Sequence, residues 1–589
     1  MTRPSRPAHT PGPRGAGRPA AAAAPCPREP EYHLHLDADR DGRVDADRTG
    51  LEKWDWGAGQ KGAIILFNND DDDGGAVGKS DHTDRLVNGG NDSGEIGPLV
   101  IRRTGGSPPV RWRATLEVPV ADRAHIRIFD GTSAGAQEII GPTAGHRYVF
   151  PDLNFVEKVL GMEALMYADG TFSGEVKITF TLSKAGAPSA REVGAVRVAP
   201  WMMPNHLDAA SKVFVVSQQD SSTSREEDSR NLRFRRDLNT LVTGAGCTLT
   251  AHRHEDVWMQ DCMELGFANL PNTGYHVVMR APRNTTLNDF ARTLRTADFG
   301  YHEKGGAQQV SDYDATGNLE CTPPVTVAGK RYPWGRMYYG GQPGSRMLPA
   351  TVAFLEAQTV QAPFEIDTSF LAVGHVDEIM TFVPAPGPKG FKLLLASPDL
   401  AYKILKDSKD AHGGSSLLVE RLIRGTPSAH RVEITIKAFL ETGYATVPKA
   451  TAAELDAFNK VIQAKITAVK GVLCRELALD DADILEVPVI FIEHHALRGM
   501  ADALTADMVN MLVLNRHCII PKPFGPVVDG KDLFEKDLED KLTSLGLEGH
   551  FIDDWYEYHV SQGEVHCGTN TLRAPTSARW WEFVSGRAP

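Results

Sequence analysis

An all-β sandwich over residues 31–198, followed by a single α/β domain over 199–589, is the architecture this sequence predicts. The sandwich rests on short apolar runs separated by Gly, Asp and Asn at turn spacing. The α/β domain rests on strand-like and helix-like segments that alternate through the rest of the chain. A chain of 589 residues, 41% hydrophobic and 24% charged, has ordinary globular composition and room for about two to four domains.

Residues 1–30 are rich in Pro, Ala, Gly and Arg without apolar periodicity, and are expected to be disordered. The sandwich strands are read in "GAIILFNND", "PLVIRR", "RATLEVPV", "AHIRIF", "HRYVFP", "EVKITFTLS" and "VGAVRVAPW". Two acidic clusters interrupt them. "DADRDGRVDADR" imitates the start of an EF-hand loop, but Arg48 stands where a bidentate Glu is needed and no helices flank it, so an exposed turn is expected. "NNDDDDGG" and the following "SDHTDRLVNGGNDSGEIG" are denser. Carboxylates packed this closely repel, so either the loop is solvated or a hard cation gathers its oxygens.

In the second domain "KVFVVSQ", "TGYHVVM", "FLAVGHVDEIMTFVP", "GFKLLLAS" and "VPVIFIEH" read as strands. "ELDAFNKVIQAKITAVKGVL" and "KDLFEKDLEDKLTSLG" have helical spacing.

The net charge of -13 argues against a nucleic-acid backbone as main partner, since tracking phosphates needs excess Lys and Arg, and mildly favours cationic ligands. Seven scattered cysteines without a CxxC pair indicate neither a disulfide framework nor a thiolate zinc site. "AAAAAP" is too short for a signal core, and no apolar run reaches about 18 residues. A cytoplasmic protein without a membrane span is expected.

Three stretches of the α/β domain collect chemistry-bearing groups: "EDVWMQDCMELGF" with Trp258, Gln260, Asp261 and Glu264; "VGHVDEI" with His375 and Asp377; and "GEVHCGTN" with Cys567. On a strand His375 and Asp377 share one face, whereas extended His566 and Cys567 point oppositely, so His375 and not His566 is the expected partner of the thiol. Singly, each piece reads as structure: a core cysteine, a hydrogen-bonded His–Asp pair, a capping acid. Together they place two carboxylates beside a thiol, which would raise the thiol pKa and oppose an oxyanion. They suit a guanidinium, a permanent planar cation with five N–H donors that two acids can grip while leaving its carbon open to attack. The acid Asp261 also argues against a papain-like hydrolase, which needs no second acid on the substrate side.

"WMQDCMELGFANLPN", "GNLECTPPVTVAGKRYPWGRMYYG", "FLAVGHVDEIMTFVPAP", "MVNMLVLNRHCIIPKPFGPVVDGKDLFEKDL" and "FIDDWYEYHVSQGEVHCGTNTLRAP" resemble the catalytic domain of the protein-arginine deiminases, in order and spacing. "WDWGAGQKGAIILFNNDDDD" and "VGAVRVAPWMMP" resemble the immunoglobulin-like domain that precedes it in that family. The resemblance implies a pentein-type α/β-propeller catalytic domain preceded by one immunoglobulin-like sandwich; of the two sandwiches in vertebrate members, the second has its counterpart here. It implies hydrolysis of arginine side chains in proteins or peptides to citrulline and ammonia, with Cys567 as nucleophile, His375 as general acid/base, and Asp261 and Asp377 holding the guanidinium. Trp258 and Arg283 would hold the substrate stem and backbone. The alternatives are a related enzyme acting on free arginine, agmatine or a methylated arginine, and a calcium-binding scaffold with an idle site.

The resemblance also implies Ca2+. Gln260, Glu264 and Glu320, with the backbone carbonyls of Thr316 and Leu319, match one catalytic-domain site. In the second, the ligand positions fall on Cys262, Arg280, Ala281 and Asn284; only the Asn matches, and the Arg280 guanidinium is expected to replace the ion and make the cleft partly calcium-independent. In the sandwich, Asn68, Asp70, Asp72, Asp81, Asp84, Asp92 and Glu95, with Asp298 of the catalytic domain, approximate the remaining ligands. Thr285 stands where the family has a second cleft arginine, and Ser561 and Gln562 where a basic residue is common, so a weaker grip on the peptide is expected.

Overall fold

The computed structural model describes Met1 and residues 29–583, apart from 73–78, 89–91, 110, 185, 220–228, 284, 304–309, 343–345, 422–431, 445–448 and 576–578. Most of the expected disordered segment, and Asn284, lie outside the described residues.

Two five-stranded sheets form the sandwich. One orders Glu31–Leu36, Gly97–Thr104, Glu157–Ala164, Ile126–Phe129 and Glu138–Ile140, all antiparallel. The other orders Ala63–Ile65, Ala187–Val198, Glu175–Lys184, Arg113–Glu117 and Arg147–Val149. In Glu175–Lys184, Val176, Ile178, Phe180 and Leu182 face the core while alternate residues face outward, the period of a strand with one face in water. Glu31–Leu36, Glu138–Ile140 and Glu157–Ala164 went unread in the sequence.

Among the described residues, the second domain repeats one unit five times. Each of its five three-stranded sheets has a middle strand with an antiparallel neighbour on one side and a parallel neighbour on the other. A parallel neighbour requires a crossover, and helices supply it: Ser229–Gly244, Phe290–Thr293, Pro349–Ala357, Pro398–His412 with Ala452–Leu477, and Leu533–Ser544. In the first sheet the middle strand Ala210–Gln218 takes its antiparallel neighbour from the far end of the domain, Thr569–Arg573. That pairing closes the five units into a ring.

One apolar cluster joins the two domains. Trp54, Ile65 and Leu160 of the sandwich share it with Trp201, Phe267, Phe354 and Trp580. Trp54 stacks on Trp580 with ring centroids 6.0 Å apart.

Three local expectations are corrected. The segment containing His375 and Asp377 is not a strand: His375 caps a 3-10 turn, Val376–Glu378, and the strand starts at Met380. Glu378 Oε1 accepts from the N–H groups of Gly374 and His375 and holds the turn. Val565 to Gly568 is likewise a turn and not extended chain. Finally, the loop around Asp37 is not wholly exposed, because Arg40 is buried, donates to the carbonyls of Gly62, Asp55 and Lys61, and lies 4.2 Å from the Trp54 ring centroid.

Candidate active site

The fivefold repeat positions the site. Asp261, Gly317, Asn510 and Cys567 each stand two residues before the antiparallel strand of their unit, and Asp377 stands three before. Of these five equivalent turns, four contribute a side chain and the fifth, at Gly317, contributes the space between Asp261, His375 and Asp377. Gly317 lies between the others: a Cβ there would meet Asp261 Oδ1 at 2.6 Å, His375 Nδ1 at 2.9 Å and Asp377 Oδ2 at 3.5 Å. Only a residue without a side chain lets these groups face a common space. Gly563 does the same for Trp258, whose ring would lie 2.5 Å from an added Cβ, while Cys567 Cβ would lie at 3.2 Å.

Cys567 Sγ is 3.2 Å from Asp377 Oδ2, and Asn510 Nδ2 donates to the sulfur at 3.1 Å. Asn510 Oδ1 accepts from the Cys567 N–H at 3.2 Å, so one amide holds both the sulfur and the backbone of Cys567. Asn510 lay in a quoted motif without an assigned role; an uncharged side chain gave no chemical signal. The Gln260 N–H donates to the Cys567 carbonyl at 3.1 Å, tying the Asp261 turn to the same residue.

His375 is buried, and its Nε2 lies 2.9 Å from the Asp312 carbonyl, which can only accept. Nε2 therefore carries the proton, and Nδ1 faces Asp261 Oδ1 at 3.7 Å. Arg283 Nη1 donates to Asp261 Oδ2 at 3.1 Å. Of the two acids, Asp261 Oδ1 and Asp377 Oδ1 are buried and accept no hydrogen bond.

His566, set aside in the sequence, shares with Cys567 the carboxylate of Asp377: its Nδ1 is 3.0 Å from Asp377 Oδ2. The turn conformation puts both side chains on one acid, which the extended reading excluded. Burial pushes Asp377 up, but the hydrogen bond and charge of His566 outweigh this and hold its carboxyl below the usual range. For His566 burial pulls downward, and Asp377 with Glu320 raises it overall. Burial, then Asp377 and Asp261, push the Cys567 thiol well above its ordinary range. Burial also raises Asp261, against the pull of His375 and Arg283.

Behind these groups lie Gln260, Glu264 and Glu320. Gln260 Nε2 donates to Glu264 Oε2 at 3.1 Å, and Thr316 Oγ1 donates to the Gln260 carbonyl at 2.6 Å. Burial and Glu320 push Glu264 well up. Burial, partly offset by His566, raises Glu320 to about 7. Leu319 lies between Thr316 and Glu320 at the start of its strand.

At the second expected position Cys262 is buried with Sγ 3.2 Å from the Met259 carbonyl, among apolar groups. Arg280 donates to the Ala281 carbonyl at 3.2 Å and faces Glu303 at 3.7 Å and Asp289 at 3.8 Å.

The sandwich acids do converge. Asp81 Oδ2 accepts from the Asp72 N–H at 2.9 Å, and Asp92 accepts from Asn68 Nδ2 at 2.6 Å and the Asn88 N–H at 2.7 Å. Asn88 also donates to Asp84 at 3.0 Å. Asp70 and Glu95 are buried, and both Asp70 oxygens and Glu95 Oε2 accept no hydrogen bond. Burial, then Asp81 and Asp72, raise Asp70 to about 9; burial, then Asp70, raises Glu95 to about 10; burial also lifts Asp81 to about 7. Asp298 is exposed, in the turn whose Thr296 carbonyl accepts from the Asp71 N–H at 3.2 Å.

A cysteine, a histidine and two acids at the centre of a five-unit α/β ring are the groups that hydrolysis of a guanidino C–N bond calls for. Residues 189–582 match the family model described as "Protein-arginine deiminase (PAD)", and residues 31–184 match its "middle domain". The chain belongs to the protein-arginine deiminase family. It is 34% identical over 578 residues to "Protein-arginine deiminase type-4" of Mus musculus, covering 93% of this chain and 82% of the relative. Against "Protein-arginine deiminase type-3" of Homo sapiens it is 34% identical over 577 residues, with the same coverage of 93% and 82%. Among solved structures, the agmatine deiminase of C. jejuni aligns at 11% identity and TM-score 0.35, over 64% of this chain and 96% of that one.

Proposed function

We propose that the protein hydrolyses peptidyl-arginine to peptidyl-citrulline and ammonia through a covalent thiouronium on Cys567. One observation carries this: two buried carboxylate oxygens, Asp261 Oδ1 and Asp377 Oδ1, accept no hydrogen bond in a site that also holds a thiol and a histidine. Leaving a buried acceptor unmet costs about 1–3 kcal/mol, more for a charged one, and a guanidinium meets both at once.

Substrate binding would bring a positive charge against the acids that suppress the Cys567 thiolate, so the nucleophile ionises where and when substrate is present. As Cys567 ionises, its proton passes to His375 Nδ1, the ring nitrogen that carries none, and the sulfur attacks the guanidinium carbon. The tetrahedral adduct expels one terminal nitrogen as ammonia, with His375 Nδ1 supplying the proton. The same nitrogen then takes a proton from water as its oxygen adds to the thiouronium carbon. The carbon–sulfur bond breaks, leaving a ureido group and the free thiol. Asn510 holds the sulfur throughout, Trp258 walls the substrate stem, and Arg283 is placed to hold the peptide backbone.

Calcium fits two groups of residues. Buried, mutually repelling acids with unmet oxygens are hard donors that a divalent ion neutralises, and both the Asp70–Asp81–Glu95 cluster and the Gln260–Glu264–Glu320 group have this character. Asn68, Asp72, Asp84, Asp92 and Asp298 complete the first reading; the Thr316 and Leu319 carbonyls complete the second. A bound ion there would supply charge balance and order. Arg280 is assigned the place of the second catalytic-domain ion. Arginine-containing proteins or peptides are the proposed partners. The cytoplasm is the proposed compartment, since Cys567 must stay reduced; among the described residues no helix is long and apolar enough to cross a membrane.

Purified protein incubated with an arginine-rich protein, with and without calcium, tests the reaction. Mass spectrometry should find arginines converted to citrulline, and none with Cys567→Ser. Conversion of free arginine or agmatine but not of protein arginine would replace this substrate class with the small-guanidine one.

A further inference from the structure

His206, Glu320 and His566 face one another behind the nucleophile. His206 Nε2 is 3.7 Å from Glu320 Oε2, and His566 Nε2 is 3.3 Å from Glu320 Oε1. All three ligand atoms lie within 4.8 Å of one another. Glu320 Oε1 is buried and accepts no hydrogen bond.

The other ring nitrogen of each histidine is already engaged. His206 Nδ1 lies 3.1 Å from the Phe382 carbonyl, so it must be the protonated nitrogen. His566 Nδ1 lies 3.0 Å from Asp377 Oδ2. In both rings this leaves Nε2 as the free position, aimed at a single carboxylate. Metal-binding histidines are fixed in the same way, by a carbonyl or carboxylate on the far nitrogen. The spacing also suits a small ion: tetrahedral bonds of about 2.0–2.1 Å set ligand atoms about 3.3 Å apart. By contrast, the trio His517, Glu548 and His550 uses His517 Nδ1 and His550 Nε2 on each other, 3.0 Å apart.

The geometry points to a binding site for a borderline divalent transition metal, zinc above all, formed by His206 Nε2, His566 Nε2 and Glu320 with one position open. Imidazole nitrogens suit zinc and not calcium, which takes oxygen ligands. The nearby Arg573 guanidinium opposes a cation but is committed to the carbonyls of Asp208, Val513 and His206. Asp377, whose carboxyl is held below the usual range, adds negative charge beside Glu320. Zinc would take Glu320 away from the calcium group and tether His566, the residue beside the nucleophile, so it should inhibit. The inhibition rests on the calcium reading above; the binding does not.

Zinc titration by calorimetry on Cys567→Ser protein, which removes the competing thiol, tests the site. One equivalent should bind, and His206→Ala should weaken it by about 100-fold or more, since even an outer partner of a ligand is worth about 10–100-fold. Without zinc, His206→Ala in the native background should deiminate normally. X-ray absorption at the zinc edge of the unmutated protein should show two imidazole nitrogens at about 2.0–2.1 Å, a readout independent of whether the variant folds. Absence of saturable binding, equal affinity in His206→Ala, or a spectrum without imidazole would overturn the site. Relief of zinc inhibition by excess calcium is expected. Binding without any such competition would leave the site standing and refute only the shared use of Glu320.

Discussion

Arg283 Nη1 sits 3.1 Å from Asp261 Oδ2, so a guanidinium of the protein itself already rests on one of the acids that a substrate guanidinium must reach. The other oxygen of that acid accepts no hydrogen bond. Asp261 can therefore hold both cations, one on each oxygen, with Arg283 fixing the carboxylate's orientation.

Arg283→Ala should lower kcat/KM on a peptidyl-arginine substrate by about 10–100-fold, mainly through KM, because a charge-assisted contact to substrate and its orienting effect are both lost. Steady-state ammonia release from a benzoylated arginine amide measures it. An unchanged KM would remove Arg283 from the cleft's binding role.

Gly317→Ala should abolish turnover while leaving the fold intact. The added Cβ meets Asp261 Oδ1 at 2.6 Å and His375 Nδ1 at 2.9 Å, and both must shift. Displacement of reacting groups by about 1 Å costs about 100-fold in rate. Circular dichroism should match the parent protein, and kcat should fall by at least about that factor.

Asp377→Asn should make the free thiol more acidic. Burial, Asp377 and Asp261 raise the Cys567 pKa, so deleting one negative charge favours the thiolate. Iodoacetamide alkylation of the substrate-free enzyme should begin at lower pH in the variant. Deimination should nevertheless fall by about 100–1,000-fold, because the guanidinium loses a carboxylate. Parallel changes in the two rates would contradict the separation of roles.

Calcium should flatten the pH dependence of sandwich stability. Asp70 and Asp81 have folded pKa values raised to about 9 and about 7, above the usual carboxylate range, so folding takes up protons. Their contribution is fully present below about pH 4 and is lost as pH rises through those folded values. In chelator, Tm should fall from pH 5 to pH 9. In calcium, Tm should rise by several degrees at pH 8, and the slope should flatten. A calcium-insensitive Tm would dismiss the cation reading of this cluster.

Arg280→Ala should increase the calcium needed for half-maximal activity by about tenfold or more, if its guanidinium stands in for an ion beside the Ala281 carbonyl. Titrating citrulline formation against free calcium measures this, and superimposable curves would refute the substitution.

Residue chemistry grouped Cys567, His375, Asp261 and Asp377 in the sequence, because two acids beside a thiol are costly unless a cation joins them, and the structure places the four close together. The geometric reason given for His375 and Asp377 was mistaken: a strand would align them, but a 3-10 turn does so. An apolar run containing one His and one Asp reads alike in either state. The fivefold repeat was not visible either. Its units share a hydrogen-bonding pattern and not a residue pattern, and the crossovers range from the short helix Phe290–Thr293 to the long Ala452–Leu477. Gly317 and Asn510 act by leaving space and by fixing a sulfur, neither of which residue type announces. His566 was lost to a single dihedral assumption, since one turn in place of extended chain brings neighbouring side chains to the same acid.

The pairing of Ala210–Gln218 with Thr569–Arg573 has a bearing on timing. The chain lays down Asp261, Arg283, His375 and Asp377 first, and Cys567 only in the turn that leads into Thr569–Arg573, the last strand of the ring in sequence. During synthesis, every protein emerging nearby exposes unfolded arginines, which would be ready substrates for a prematurely active enzyme. The turn bearing Cys567 leads into a strand that pairs with one made some 350 residues earlier, so the ring is expected to shut before the sulfur meets Asn510 and Asp377. A chain that lacks Thr569–Arg573 is therefore expected to be inert, because Cys567 would have no closed ring to hold it against Asn510 and Asp377.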